Sequence, residues 1–187
     1  MLGNIRADGP NVYYNRRPIS GRHSIRSGDN VSTGENSRAT VRLINGGVVT
    51  IDQNTDPDFF KKASCLLITI FKGRVSIDGF AICIETPHAY GLINSQVNIV
   101  VTDQETIITV LSGNMTLKRP FRKTLHRSQQ ARISGGRIQS IRLLSERKLQ
   151  SVFHWLLASG RGESGKVRCR RYAETAVSHQ EENLHRR

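Results

Sequence analysis

No apolar run in this chain approaches the length of about eighteen residues that a membrane-spanning helix needs. The longest lies around CLLITIF, Cys65 to Phe71. The opening stretch, MLGNIRADGPNVYYNRR, has no uninterrupted apolar segment of the kind a signal peptide requires. Read literally, that makes the chain cytoplasmic; the alternative is a mature or shortened form whose export signal lies outside it. Cysteine is scarce as well. Cys65, Cys83 and Cys169 are too widely spaced for a zinc knuckle and too few for a disulfide scaffold. Helical periodicity is sparse before residue 140. An α/β fold, which needs helices of roughly ten to fifteen residues between its strands, is therefore excluded.

What is present is a chain of 187 residues, 37% hydrophobic and 23% charged, long enough for one domain with a core and carrying no signature of disorder. Its net charge of +13 is unevenly placed. Residues 1–117 are close to neutral, whereas the last seventy carry 17 basic residues against 5 acidic ones. The basicity belongs to the end of the chain and says nothing about the middle.

Short β-rich runs fill the first 145 residues: NVYY, ATVRLI, VVTID, CLLITIF, RVSID, FAICIET, NSQVNIVVT, TIITVLSG, NMTLKR, ARIS and IQSIRLL. Several alternate cleanly. Val41 and Leu43 point away from Thr40 and Arg42, and Val75 and Ile77 away from Arg74 and Ser76. Between the runs lie NGG (45–47), KG (72–73), DG (78–79), SGN (112–114) and SGG (134–136), which can take the positive φ that tight turns need. Roughly ten short strands with this punctuation predict an all-β domain, a sandwich, a barrel or a solenoid-like stack, over residues 1–145. Residues 146–187 differ. Leu149, Val152, Phe153, Leu156 and Leu157, with Trp155 nearby, predict a short amphipathic helix or a terminal strand, followed by a basic, poorly ordered tail.

Motifs for chemistry are weak. GRGESGKV, Gly160 to Val167, matches a P-loop except that Val167 replaces the hydroxyl residue that would hold magnesium; no parallel sheet is available to frame it. GDNVSTGENS, Gly28 to Ser37, lacks a lysine, and a strand follows it where a phosphate site needs a helix N-terminus. There is no G-x-S-x-G, and the six histidines form no H-x-x-x-H pair. IDQNTDPD, ending at Asp58, gathers three aspartates but lacks the EF-hand glycine and closing glutamate, so it is expected to be a loop between strands. No enzyme, cofactor or metal is implied. Cys65 and Cys83 have two readings: a disulfide if their runs are neighbours, or two reduced, buried thiols. The tail also has two. Lys166, Arg168, Arg170 and Arg171 beside Tyr172 can contact nucleic acid or another polyanion, or form a solvated terminus.

The order of the β-runs resembles the FecR domain family. IRSGDNVSTGENSRATVRLINGGVVTIDQNT is similar to the opening of that domain, and LITIFKGRVSI to its strand–glycine–strand segment. IETPHAY, TIITVLSGNMTL and SQQARIS match its threonine–proline turn, its late strand–glycine–strand and its closing strand. INSQVNI stands where the family has a glycine–threonine pair, and SQQ replaces its alanine–glycine–glutamine. The resemblance covers roughly Val12 to Leu144. It implies a non-enzymatic β-module of an exported, periplasmic protein that works by protein contact, in a family linked to sigma-factor regulation and iron uptake. The family's N-terminal helical segment and membrane span are not found in this sequence. A periplasmic location also implies a Cys65–Cys83 disulfide, with Cys169 unpaired. The competing expectation is a polyanion binder acting through residues after Lys118.

Overall fold

The computed structural model describes residues 1–158. The chain divides into two units, Met1–Leu149 and Gln150–Arg187. The first opens with β1 (Gly3–Asp8), β2 (Val12–Tyr14), β3 (Arg17–Pro18), β4 (Arg22–Ile25) and β5 (Asp29–Thr33). It continues with β6 (Arg38–Leu43), β7 (Val48–Ile51), β8 (Asp56–Lys61), β9 (Leu66–Glu85) and β10 (Tyr90–Val101). β11 (Thr106–Arg119), β12 (Lys123–His126), β13 (Gln129–Ser134) and β14 (Arg137–Leu143) complete the sheet. A helix, α1 (Glu146–Ala158), follows Ser145 and carries Glu146 in its first turn, where a carboxylate favours the helix dipole. Helix, not strand, is thus the outcome for this segment: Leu149 and Phe153 recur at helical spacing and are buried.

The fold is all-β, as expected, but the sheet is open. Its main path runs β14-β13-β11-β10-β9-β7-β6-β1-β4, and neighbouring strands along it are antiparallel. A solenoid would stack successive coils in parallel register, so the solenoid-like alternative is set aside. The alternation seen in the sequence builds the core. One register row joins Ile5, Val41, Val49, Ile77, Val97 and Val110; the next joins Ala39, Ile51, Val75, Ile99, Ile108 and Ala131. All of these side chains are fully buried, and Val12, Val31 and Phe59 from the side strands join the same apolar cluster.

Two expectations need correction. CLLITIF, RVSID and FAICIET are not three strands: most of their residues form β9, of 20 residues. The glycines between them bend the ladder without ending it. Gly73, at φ 95, marks where β9 exchanges β8 for β7 as its neighbour, and a Cβ there would lie 2.6 Å from the Thr55 Cα. Gly113, at φ 66, likewise sits inside β11. The IDQNTDPD segment is a loop only in part. From Asp56 it becomes β8, and Pro57, with no N–H to donate, stands at a register shift where the ladder tolerates it.

Candidate functional site

The cysteines set the path of β9. Cys65 precedes the strand, Cys83 lies near its end, and the two are joined by a disulfide with Cα atoms 5.7 Å apart and a sequence separation of 18. A straight strand of that length would extend about 60 Å. β9 therefore turns back on itself between them, and the bridge holds its two arms together. Cys65, Cys83 and Leu67 form a small buried cluster, with Phe60, Tyr90 and Leu92 packed on it.

Near those arms is an open groove of about 480 Å³ lined by Thr69, Phe71, Glu85, Thr86, Pro87 and Arg119. Arg119 donates to Glu85 and to the Thr86 carbonyl, both at 3.4 Å. The Thr86 hydroxyl lies 2.9 Å from that of Thr106 and accepts the Ala89 N–H at 2.9 Å, closing a tight turn. These contacts brace the turn rather than assemble a nucleophile and base.

The aspartates of residues 52–58 are engaged by neutral and cationic side chains. Asp52 lies 2.9 Å from Arg38 and 3.8 Å from Arg74, while the Asn30 amide donates to Asp56 at 2.7 Å and to Asp58 at 2.8 Å. Among the described residues, no three His, Cys, Asp or Glu side chains are grouped to hold a metal ion. Asp29 is the most elaborately held carboxylate. It accepts the Tyr14 hydroxyl at 2.5 Å, the Asn15 amide at 2.9 Å and the Arg26 N–H at 2.6 Å. Burial pushes its pKa up, but these hydrogen bonds outweigh burial and hold it below the ordinary range. The same bond to Asp29, with burial, raises Tyr14. On the surface, the hydrogen bond to Arg132 lowers Glu105.

The sheet face opposite the core carries a feature that the sequence did not announce. A polar row crosses nine strands: Arg22, Arg6, Thr40, Thr50, Ser76, Asn98, Thr109, Gln130 and Arg142. Ser76, Asn98 and Thr109 are buried; Ser76 donates to the Val97 carbonyl at 3.3 Å and Gln130 to Thr109 at 2.9 Å. Each is an ordinary polar position of an alternating strand, and only the register aligns them.

Most of the basic excess of the last seventy residues falls within the described part of the chain. Residues 118–149 alone hold ten basic residues and one acidic residue. All ten are exposed, on the end of β11, on β12 to β14 with their connections, and on the start of α1. Arg119, Arg127 and Arg132 pair with Glu85, Glu146 and Glu105. Arg122, Lys123, Arg137, Arg142 and Arg147 have no ion pair among the described residues. The tail residues singled out earlier (Lys166, Arg168, Arg170 and Arg171), the P-loop-like segment and Cys169 lie outside the described residues.

No family profile matches the chain, and no curated protein matches it. Solved structures do. Two crystal structures of a "putative anti-sigma factor" from Parabacteroides distasonis share its fold, each with a TM-score of 0.58 and 17% sequence identity over 68% of this chain. The chain spans 64% and 63% of the lengths of those two. At that identity the likeness defines the class, an open antiparallel β-fold held in common.

Proposed function

We propose that this chain is a FecR-type regulatory module that transmits a signal by protein contact, without a catalytic step of its own. The observation that carries the reading is the fold it shares, over 68% of its length, with the Parabacteroides protein described as a "putative anti-sigma factor". The order of the strand and glycine motifs supports the same family. The bridged cysteines support an exported, periplasmic location, since disulfides persist in oxidising compartments. Sigma-factor control coupled to iron uptake is the finer role that follows from the resemblance.

Deleting the gene from its host tests this reading. Transcripts controlled by alternative sigma factors are expected to change, most clearly under iron limitation. An unchanged transcriptome in both iron-replete and iron-starved cells sinks the regulatory role. In parallel, thiol labelling of acid-quenched cells is expected to leave Cys65 and Cys83 unreactive until reductant is added. Free thiols at both positions in living cells argue against export.

The five cations of residues 122–147 that form no ion pair among the described residues favour one second reading, contact with a polyanion. It predicts affinity for duplex nucleic acid that falls steeply with salt. Weak binding that salt leaves unchanged rejects it.

A further inference from the structure

Among the described residues, β4 is one end of the sheet and pairs only with β1. The Ala7 N–H donates to the Gly21 carbonyl at 3.0 Å, in register with the β1–β4 ladder. Backbone groups along an antiparallel strand point alternately to either side. Gly21, His23 and Ile25 therefore turn toward β1, and Arg22 and Ser24 present their N–H and C=O groups to the open edge. Both residues are exposed.

The face beside that edge is cationic. Arg22 stands directly opposite Arg6, and Arg42 lies one strand further in, opposite Asn4. Like charges placed directly across a ladder destabilise a sheet. None of these three arginines has an ion pair among the described residues. Nearby carboxylates among the described residues are few: Asp8, two residues from Arg6 on β1, stands opposite Arg38, itself bound to Asp52, and Asp78 is two strands from Arg42, beyond Val48. A charge on β4 alone would be the usual protection of an edge strand. That explains Arg22 but not Arg6 opposite it on the inner strand, nor Arg42 beyond. Ile44, two residues after Arg42, is 67% exposed, and Phe80, whose carbonyl accepts the Asn45 amide at 3.2 Å, is 72% exposed.

We propose that the β4 edge and the arginines beside it, Arg22, Arg6 and Arg42, dock an acidic, extended segment of a partner protein, added to the sheet as a further strand. Backbone groups of Arg22 and Ser24 pair with the segment. Its alternate carboxylates meet the arginine face, where side chains of a strand repeat every second residue. This deepens the protein-contact reading and rests on it.

The test uses the full chain and a fluorescent peptide alternating glutamate and valine. Wild-type protein is expected to bind it, with affinity falling as salt rises. The triple variant Arg6→Gln, Arg22→Gln, Arg42→Gln is expected to weaken binding about 30-fold. Matching substitution of Lys61, Lys62 and Lys72, exposed lysines elsewhere whose loss removes the same charge, is expected to change it by less than about 3-fold. The same peptide N-methylated at alternate residues keeps its charges but loses strand pairing, and it is expected not to bind. Equal binding of the N-methylated peptide, equal loss in both triple variants, or a DNA duplex bound in the same Arg6- and Arg22-dependent way overturns the proposal. If the peptide fails while gene deletion still alters sigma-dependent transcripts, this surface is wrong and the regulatory reading stands.

Discussion

Asp29 shows how one side chain organises a strand entry. Its carboxylate gathers Tyr14, Asn15 and the Arg26 amide, tying β2 to the turn before β5. Its pKa is lowered on folding, so its stabilising contribution is present above the ordinary carboxylate value and is lost as pH falls through the folded value. Asp29→Asn is therefore expected to destabilise the protein at neutral pH, with the gap to wild type closing as acid protonates the native carboxylate. Thermal melts across a pH series check this; a gap that stays constant would assign the loss to packing. Gly73 makes a different demand. Its φ of 95 and the nearness of Thr55 leave no room for a Cβ, so Gly73→Ala is expected to cost about 2 kcal/mol in urea unfolding. At this scale the sequence was partly legible. Gly73 was visible as a special backbone position but read as a turn, because a glycine looks the same whether the chain ends a strand there or bends within it. The Asp29 site was invisible, since Tyr14 and Asn15 lie about fifteen residues away in sequence and only the Arg26 amide, three residues back, is local.

β9 is the element on which the rest depends. It pairs with β8 along its first arm, with β7 across its middle and with β10 over its second half. The Cys65–Cys83 bridge clamps the two arms. Reduction, or the Cys65→Ser, Cys83→Ser pair, is expected to lower stability by about 3 kcal/mol and the melting temperature by about 6–12 °C. Calorimetry with and without reductant measures it, and coincident transitions would show that the bridge adds nothing. The individual β-runs could be read because period-2 alternation is a local property. Which runs were arms of one strand could not, because continuity depends on neighbours holding the ladder through a bend. β8 was missed for a related reason: Asp56, Pro57 and Asp58 disfavour a strand locally, and pairing with β9 overrides them.

Over the whole chain, charge is the property with the clearest consequence. Residues 159–187 contribute seven basic and four acidic residues, whereas residues 118–149 contribute ten and one. Truncation after Ala158 is accordingly expected to leave most of the protein's retention on a phosphate-bearing column. Replacing Arg122, Lys123, Arg137 and Arg142 with glutamine is expected to remove much more of it. The salt needed for elution decides between them, and a truncated chain that elutes far earlier than the four-residue variant would assign the retention to residues 159–187.

Composition, alternation and glycine placement by themselves determined that this chain is all-β and rich in antiparallel turns, and that it carries no recognisable catalytic motif. These are local consequences of which side chains face water and which backbone angles each residue tolerates. Tertiary structure alone decided that the sheet is open, that β9 doubles back to bring Cys65 to Cys83, and that Arg6, Arg22 and Arg42 share one face beside β4, the terminal strand among the described residues. Each of these depends on register, and register is set by many weak contacts acting together across residues far apart in sequence.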